Sequence, residues 1–516
     1  MRKKLFTTGI ALATFLNMYA GGLLTNTNQN VAFLRNPARG ASIEIDAVYS
    51  NPAGLAFLKK DGFYLSLNNQ SAFQTRTITA DFAPFANSAG SAVKVFEGKA
   101  KAPFIPSLQA AYKTDRWVFS GSFAIVGGGG TAVFDKGLPS FEAKIATPIA
   151  QLSSTAKIPT NYSINSKFEG SSAIYGIQLG VSYMINDNIS AYIGGRANFV
   201  SNGYIGHLND VNISAAGDIT TFFTTAAATA RGVASSLQPA IDGGMGNLPI
   251  GNLGLPAEQL TQMAAALGKQ ESELRDMTVS TVQSAFNLAA GQANGAVDGM
   301  TQLTSTNLNL DTKQFGIGIT PIIGFDYNFD KLNIGAKYEF RTCMSIENKT
   351  EIDNTEQFPD GAKTPYDIPA LLTVGAQYDI TRQMTISAGY HHFFDSKAKM
   401  ADNKQQYING GINEYLAGLE YRINKMYLLS CGTQIARTGV TDGYQSDLSY
   451  SLNTVSFGFG GAVNLTKNFR INLAYFFTNY DDWTKKSDDY NDTGIAGTDV
   501  YGRKNKTFGI GLDYRF

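Results

Sequence analysis

Apolar residues alternate with small or polar residues along much of this chain. Between Tyr175 and Tyr183 every second residue is apolar, and the residues between them are Gly, Gln or Ser. The alternation returns from Phe315 to Tyr327 and from Leu332 to Phe340, and in the last of these segments ionisable side chains occupy the second face. Because successive side chains of a strand point to opposite faces, these segments predict long strands with one apolar face.

Alternation and turn residues together predict fourteen strands. Their approximate bounds are 62–73, 104–113, 116–126, 171–184, 188–201, 313–328, 331–345, 366–379, 383–396, 410–423, 425–437, 450–464, 469–482 and 505–516. The connections alternate between tight turns, such as Asn186-Asp187 and Phe329-Asp330, and long loops. Tight turns at one end and long loops at the other are typical of outer-membrane barrels. The predicted fold class is therefore all-β, a transmembrane antiparallel β-barrel of about 14 strands.

The final strand and the absence of long apolar runs support this interpretation over a secreted β-sandwich or adhesin. Past residue 20 no run of eighteen apolar residues occurs, so no membrane-spanning helix is predicted. The strand from Phe508 ends on the aromatic Phe516, which resembles the signal read by the outer-membrane insertion machinery. We therefore expect a monomer in the outer membrane of a Gram-negative bacterium, with membrane lipid, lipopolysaccharide and the insertion machinery as partners.

The first twenty residues have the layout of a secretory signal peptide. Arg2, Lys3 and Lys4 precede an apolar stretch from Leu5 to Leu16, and the small residue Ala20 ends the segment. Such a segment is too short to span a bilayer as a helix, although a buried N-terminal helix is an alternative. The predicted domains are thus a signal peptide at 1–20, an N-terminal segment at 21–61 and the barrel at 62–516.

Composition excludes several classes of function. Lys and Arg number 42 and Asp and Glu also number 42, so the chain lacks the basic excess of a nucleic-acid-binding protein. Three His and two Cys leave little material for a metal site, and no catalytic Ser-His-Asp set is apparent, so we expect no cofactor, no metal and no enzymatic activity. Aspartates crowd the last outer loop, where a solvated loop is favoured over calcium binding. Cys343 and Cys431 are expected to be free, buried thiols, although the sequence does not decide whether they pair.

Two segments depart from the strand pattern. Residues 21–61 contain the turn-forming run Asn51, Pro52, Ala53 and Gly54, and they could extend into the periplasm or fold back into the lumen. The long outer insertion at about 202–312 carries helical spacing. Its candidate residues for capture of a hydrophobic ligand are Phe222, Phe223, Leu260, Met263 and Leu267. A helical cap packed on itself is an equally good interpretation.

These features resemble the FadL/TodX family of outer-membrane transporters for long-chain fatty acids and other hydrophobic compounds. The resemblance rests on Asn51, Pro52 and Ala53 before the first strand, on the fourteen strands and on the aromatic terminal strand. It implies that residues 21–61 form a hatch inside the barrel and that outer loops capture the substrate. It further implies passage to an internal pocket and lateral release through an opening at a kink in the third strand. The glycines Gly127, Gly128, Gly129 and Gly130 are the candidate kink, because Gly weakens a regular ladder.

Cations facing the lumen provide a second set of candidates. Arg196, Lys337 and Arg341 are candidate partners for a substrate carboxylate, because a charge-assisted pair suits an enclosed pocket. The alternative is that these cations pair with Glu339 and Glu420. The expected function is passive uptake of long-chain fatty acids or other hydrophobic compounds. A surface adhesion barrel and a general porin for polar solutes are the competing hypotheses.

Overall fold

Long antiparallel strands form a closed barrel in the computed structural model, which describes residues 23–516. The expected signal peptide lies outside the described residues. The strands are β1 Gly62–Phe82, β2 Val93–Thr114, β3 Trp117–Phe134, β4 Tyr162–Asn186, β5 Ile189–Ile213, β6 Leu308–Phe329, β7 Leu332–Glu339, β8 Ser345–Asp353, β9 Lys363–Pro365, β10 Leu371–Asp379, β11 Met384–Phe393, β12 Asn413–Arg422, β13 Tyr427–Arg437, β14 Thr454–Asn464, β15 Phe469–Tyr480, β16 Trp483–Ser487 and β17 Gly497–Arg515.

The wall of the barrel consists of fourteen strands, as the sequence predicts. β7 and β8 pair with successive parts of β6 and form one interrupted wall strand. β9 pairs with β8, and β10 pairs with β7, so β9 and β10 together form the next strand of the wall. The short β16 pairs only with the outer end of β17, beyond the segment where β17 pairs with β15. Pairing of β1 with β17 closes the cylinder, so the wall has no free edge.

Apolar side chains cover the outside of the barrel. The side chains of Ile193, Ile317 and Ile319 are 70%, 68% and 69% exposed on this surface. The residues between them point inward, and Arg196, Asn198 and Thr320 are buried there. An outward apolar band with a polar interior is the pattern of a transmembrane barrel. Among residues 23–516, no helix is both long enough and apolar enough to cross a membrane.

The strands extend further at the loop end than the sequence predicts. The prediction ends the first strand at 73, whereas β1 continues to Phe82 with Thr75, Thr77 and Thr79 on its outer face. Outside the bilayer the outer face no longer needs apolar residues, so the alternation that predicts a strand disappears. For the same reason the outer parts of β2, β4 and β5 are absent from the predicted bounds.

Helices cover the loop end of the barrel. They are α3 Ala86–Ala89, α4 Pro139–Ala156, α5 Ala216–Ala240, α6 Ala257–Ala266, α7 Glu271–Asp276 and α8 Val279–Thr304, preceded in the chain by α1 Val31–Arg35 and α2 Ala47–Ser50. α5 and α8 pack side by side, and their bases join α4 in an apolar cluster at the barrel mouth. A second apolar cluster fills the outer half of this helical cap. The sequence does not predict α4, which contains Pro148.

Both thiols lie on the outside of the barrel. Cys343 and Cys431 are free, as expected, but they are exposed, so the expectation of buried thiols is wrong. Cys431 occupies an outward position of β13, where alternation with the inward Ser430 and Gln434 fixes its direction.

Candidate functional site: a filled lumen and a break in the wall

The N-terminal segment fills the lumen. We call residues 23–58 the plug; it contains α1, α2 and a 3-10 turn, Pro52–Phe57, and nearly all of its residues are buried. α1 contacts the inner faces of β1, β13, β14, β15 and β17, whereas the 3-10 turn contacts those of β2 to β6. The plug therefore touches the wall on opposite sides, which a segment extending into the periplasm would not do.

The run from Asn51 to Gly54 holds the plug against β4, β5 and β6. The Asn51 side-chain amide donates to the Asp326 carboxylate at 2.9 Å and to the Phe325 carbonyl at 3.1 Å. Hydroxyl groups of the wall donate to the plug in return, Ser182 to the carbonyl of Pro52 at 2.6 Å and Ser190 to that of Ala53 at 2.7 Å.

Close packing explains the glycine that ends this run. A Cβ atom at Gly54 would lie 2.4 Å from the Ser42 carbonyl oxygen. Only glycine allows this approach of two segments of the plug.

A buried ion cluster joins the plug to the opposite wall. Arg35 donates to Glu420 of β12 at 2.5 Å, and Arg39 reaches the same carboxylate at 3.3 Å. Arg39 also donates to Asp46 through two nitrogens, at 2.7 and 2.8 Å, while Glu44 accepts from Arg470 of β15 at 2.9 Å. Paired charges of this kind are costly to separate once they are buried.

All three candidate carboxylate-binding cations are engaged with protein groups, and Arg341 also lies 3.7 Å from the Asp367 carboxylate. Arg196 and Lys337 both bind Glu339, Lys337 at 2.6 Å, and Lys337 also donates to the Tyr49 carbonyl at 2.7 Å. The ring of Tyr49 lies 4.5 Å from the Lys337 ammonium. Arg341 is partly exposed at the end of β7, where it donates to the Lys397 carbonyl at 2.6 Å. Arg196 and Lys337 are therefore paired with Glu339, which is the alternative that the sequence offers to binding of a substrate carboxylate.

The wall is interrupted between β2 and β3. Their ladder stops at the pair Ala100–Ala132 and resumes at Ser107–Ala124, so β2 residues 101–106 and β3 residues 125–131 do not pair with each other. Pro103 and Pro106 lie in this part of β2, and proline has no amide hydrogen to donate to a ladder. The sequence carries this signal, with Pro103 just before and Pro106 within the predicted strand 104–113, but the prediction did not use it.

The candidate kink glycines lie on the β3 side of this break. Val126 and Gly129 are extra residues in the pairing of β3 with β4, and Gly128 and Gly130 have φ values of 84° and 69°. A Cβ atom at Gly128 would lie 2.4 Å from the Ser172 carbonyl oxygen, so glycine is required there. The run Gly127 to Gly130 therefore forms two bulges that bend β3 away from β2.

The start of the plug pairs with this bent strand. The amide of Asn26 donates to the Val126 carbonyl at 2.8 Å, and the amide of Gly128 donates to the Leu24 carbonyl at 3.2 Å. The Asn26 side chain donates to the Gly128 carbonyl at 3.1 Å. Three hydrogen bonds therefore join the plug to the kink.

A cavity of about 290 Å³ lies at the break. Its inner wall includes Asn28, Gln29 and Gln70, and its outer wall includes Phe104 and Tyr175. Phe104 and Tyr175 are outward residues, with 70% and 39% of their surface exposed. The cavity therefore connects the plug with the outer, lipid-facing surface of the barrel.

A second cavity, of about 400 Å³, lies at the outer end. We call it the outer crevice; α4, α8 and the last outer loop form its walls. Its lining includes Pro148 and Leu152 of α4 and Gly295 and Gly299 of α8. A Cβ atom at either glycine would meet no atom within 4 Å, so the glycines leave room rather than allow close contact.

Most of the candidate capture residues are buried within the cap or at its base. Leu260, Met263 and Phe223 are 0%, 4% and 7% exposed, and Leu267 packs against the same outer cluster as Leu260. Phe222 is 41% exposed. A ligand can therefore reach Phe222, whereas the buried side chains stabilise the cap.

An outer loop also contacts the start of the plug. Asp395, in the loop after β11, is fully buried and accepts a hydrogen bond from the Ile412 amide at 2.9 Å. Burial raises the pKa of Asp395 to about 6, although the amides of Ile412 and Leu23 favour the charged form. Among residues 23–516 no group of three or more His, Cys, Asp or Glu side chains is placed to hold a metal ion.

The barrel, the filled lumen and the broken wall define an outer-membrane β-barrel of fourteen strands with an internal plug. No protein-family model and no curated protein matches the sequence. Solved structures with this fold do match. A FadL homologue from Pseudomonas aeruginosa aligns with a TM-score of 0.59 at 12% identity, covering 96% of this chain and 100% of its own.

Two further solved structures give the same result. The toluene transporter TodX of P. putida aligns with a TM-score of 0.50 at 14% identity, covering 92% of this chain and 94% of its own. A deletion mutant of TodX, described as a monoaromatic hydrocarbon channel, gives 0.51 at 15% identity, covering 96% of this chain and 100% of its own. The resemblance to FadL/TodX-type barrels that the sequence suggests is confirmed at the level of the fold.

Proposed function

We propose that this protein is a passive outer-membrane channel for long-chain fatty acids or other hydrophobic compounds. The observation that carries the proposal is the cavity through the break between β2 and β3, which joins the plugged lumen to the lipid-facing surface. A polar solute gains nothing from an exit that faces lipid. A hydrophobic solute avoids periplasmic water on this route, at about 0.8 kcal/mol for each CH₂ group kept out of water.

The route begins at the outer crevice and ends at the break. The crevice offers a partly apolar binding surface, with Leu152, Ala296 and Leu303 among polar residues, and the plug obstructs the direct path to the periplasm. Because the plug is hydrogen-bonded to the kink, a ligand that displaces residues 24–26 also acts on the opening. The structural relative TodX, described as a toluene transporter and, in its deletion mutant, as a monoaromatic hydrocarbon channel, supports a hydrophobic substrate.

Uptake by cells tests the proposal. Cells with and without the gene are supplied with labelled oleate, labelled toluene or a small polar solute. We expect gene-dependent entry of oleate, toluene or both, with unchanged entry of the polar solute. Gene-dependent entry of the polar solute alone would favour a porin, and no gene-dependent entry would favour an adhesion barrel.

Filling the outer crevice tests the first step of the route. Gly299→Leu places a side chain in the crevice at a position where a Cβ atom meets no other atom within 4 Å. We expect the substrate concentration for half-maximal uptake to rise by roughly three- to tenfold, as a loss of about 1 kcal/mol of binding implies, with the maximal rate unchanged.

Gly291→Leu is the matched control for this substitution. Gly291 lies on the same helix, also with no atom within 4 Å of its Cβ, but it does not line the crevice. If both substitutions raise the substrate concentration for half-maximal uptake equally, the effect comes from a disturbed α8 and not from filling the crevice.

A further inference from the structure

Four lysines lie side by side on the outer surface of the barrel. Lys504 and Lys506 of β17 and Lys99 and Lys101 of β2 point outward on either side of β1. The register places Thr75 of β1 opposite both Lys504 and Lys99, and Phe73 opposite both Lys506 and Lys101. With strands about 4.8 Å apart and about 6.8 Å between every second residue, the lysines mark a rectangle of roughly 10 by 7 Å. We call these four residues the lysine patch.

Positive charge dominates this part of the surface. The two outward rows across β15, β17, β1 and β2 are Phe477, Lys506, Phe73 and Lys101, and Asn479, Lys504, Thr75 and Lys99. Half of these eight positions are lysine and none is acidic. Two acids border the patch on its loop side: Glu97 contacts Lys99 at 3.1 Å, and the Asp482 carboxylate lies beside Gly502, the next outward residue after Lys504.

Two lysines elsewhere on the outer surface are paired with acids. Lys313 lies 3.7 Å from Glu351 and Lys363 lies 3.3 Å from Glu347. Within the described residues Lys99 forms an ion pair but Lys101, Lys504 and Lys506 do not, so the patch keeps an excess of positive charge.

The level of the patch indicates what covers it. Toward the middle of the membrane, the next outward residue after Lys506 on β17 is Phe508, and the one beside Phe477 on β15 is Tyr475. The centroids of these two aromatic rings lie 4.8 Å apart. Aromatic girdles mark the interface between the hydrocarbon and the headgroups. The lysines follow this girdle toward the loop end, so their ammonium groups lie at the level of the outer-leaflet headgroups.

We propose that the lysine patch binds the phosphorylated headgroup of lipopolysaccharide in the outer leaflet. Ammonium groups form strong charge-assisted hydrogen bonds with phosphate, and clusters of four or more basic residues at a membrane surface attract anionic lipid. Charge complementarity selects this occupant over a neutral lipid. The proposal concerns the outer surface and holds whether or not the barrel transports hydrophobic compounds.

The patch also borders the break in the wall. Lys101 is the first residue of the unpaired part of β2, and Phe104 lines the cavity there. A lipid held by the patch therefore has its acyl chains beside the opening, and it replaces mobile lipid as the outer boundary of the cavity.

Retention of lipid A by the purified full-length barrel tests this site. The variant Lys99→Gln, Lys101→Gln, Lys504→Gln and Lys506→Gln removes the charge at exposed positions, where substitutions seldom disturb folding. Native mass spectrometry and lipid titration measure binding of bisphosphorylated lipid A and of its dephosphorylated form. We expect the variant to bind bisphosphorylated lipid A about tenfold more weakly or worse, since each lysine near a membrane surface contributes to anionic lipid binding. The wild type should bind the dephosphorylated form equally weakly.

The matched control removes four other outward lysines, with the substitutions Lys167→Gln, Lys313→Gln, Lys349→Gln and Lys363→Gln. The control should bind bisphosphorylated lipid A as the wild type does. The proposal is overturned if the patch variant binds as well as the control, or if the wild type binds dephosphorylated lipid A as tightly as the phosphorylated form. Displacement of the lipid by millimolar inorganic phosphate would also overturn it, because the patch would then be a site for free anions.

Discussion

Deletion of Val126 together with Gly129 is expected to abolish gene-dependent uptake while the barrel still assembles. These are the two residues of β3 that have no partner on β4. Removing both restores a continuous register with β4. Because two residues are lost, the residues on either side keep their inward or outward direction. The straightened strand then lies beside β2, where the extra residue at Pro103 and Phe104 and the missing amide hydrogens of Pro103 and Pro106 still interrupt part of the pairing.

A paired wall resists opening. After the deletions a few additional ladder hydrogen bonds can form, although not a full set because Pro103 and Pro106 have no amide hydrogen, and breaking them would cost about 1 kcal/mol each. Since about 1.4 kcal/mol changes a rate tenfold, uptake should fall by well over tenfold. Labelled oleate or toluene entering intact cells is the measurement, with heat-modifiable migration on gels as the check of assembly.

Deletion of Glu351 is the control for this experiment. Glu351 is an extra residue in the pairing of β6 with β8, distant from the break in the wall. Its removal should leave uptake unchanged. If the double deletion assembles and transports like the wild type, the opening between β2 and β3 is not the exit.

The membrane explains which parts of this fold the sequence can predict. Within the bilayer the outer face must be apolar, so the fourteen strands are visible as alternation at Tyr175–Tyr183 and elsewhere. Beyond the bilayer both faces of β1 can be polar, and α4 contains a proline, so neither the strand extension nor this helix has a clear local signal.

Contacts between distant parts of the chain are the reason that the site is harder to predict than the strands. Gly127 to Gly130 mark the bend in β3, because glycine is the residue that tolerates the φ values found there. Pro103 and Pro106 mark the weakened part of β2, but the extent of the break depends on the register between β2 and β3, which the local sequence does not specify. The Arg35–Glu420 pair joins residues 385 positions apart, and alternation predicts only that Glu420 faces the lumen.

Substitution of Arg39 by Met is expected to loosen the plug and to make the barrel permeable to polar solutes. The guanidinium of Arg39 donates to Asp46, Ser42 and Glu420, and its side chain is only 4% exposed. Removing one partner of a buried ion pair costs about 3–5 kcal/mol, because the remaining charges lack compensation. Movement of the plug away from β12 would admit water to Asp46 and Glu420 and relieve that cost. We therefore expect ion conductance across a planar bilayer to rise well above that of the wild type, together with faster entry of a polar antibiotic into cells.

Two comparisons make this prediction specific to the plug. Arg382→Met removes a cation from the exposed turn between β10 and β11, and it should leave conductance at the wild-type level. Arg39→Lys keeps the charge but not the two-nitrogen contact with Asp46, so it should give an intermediate conductance. It also provides a folded variant if the Met variant fails to assemble. An assembled Arg39→Met barrel with wild-type conductance would show that the contacts of Asn51, Pro52 and Ala53 with β4 to β6 suffice to hold the plug.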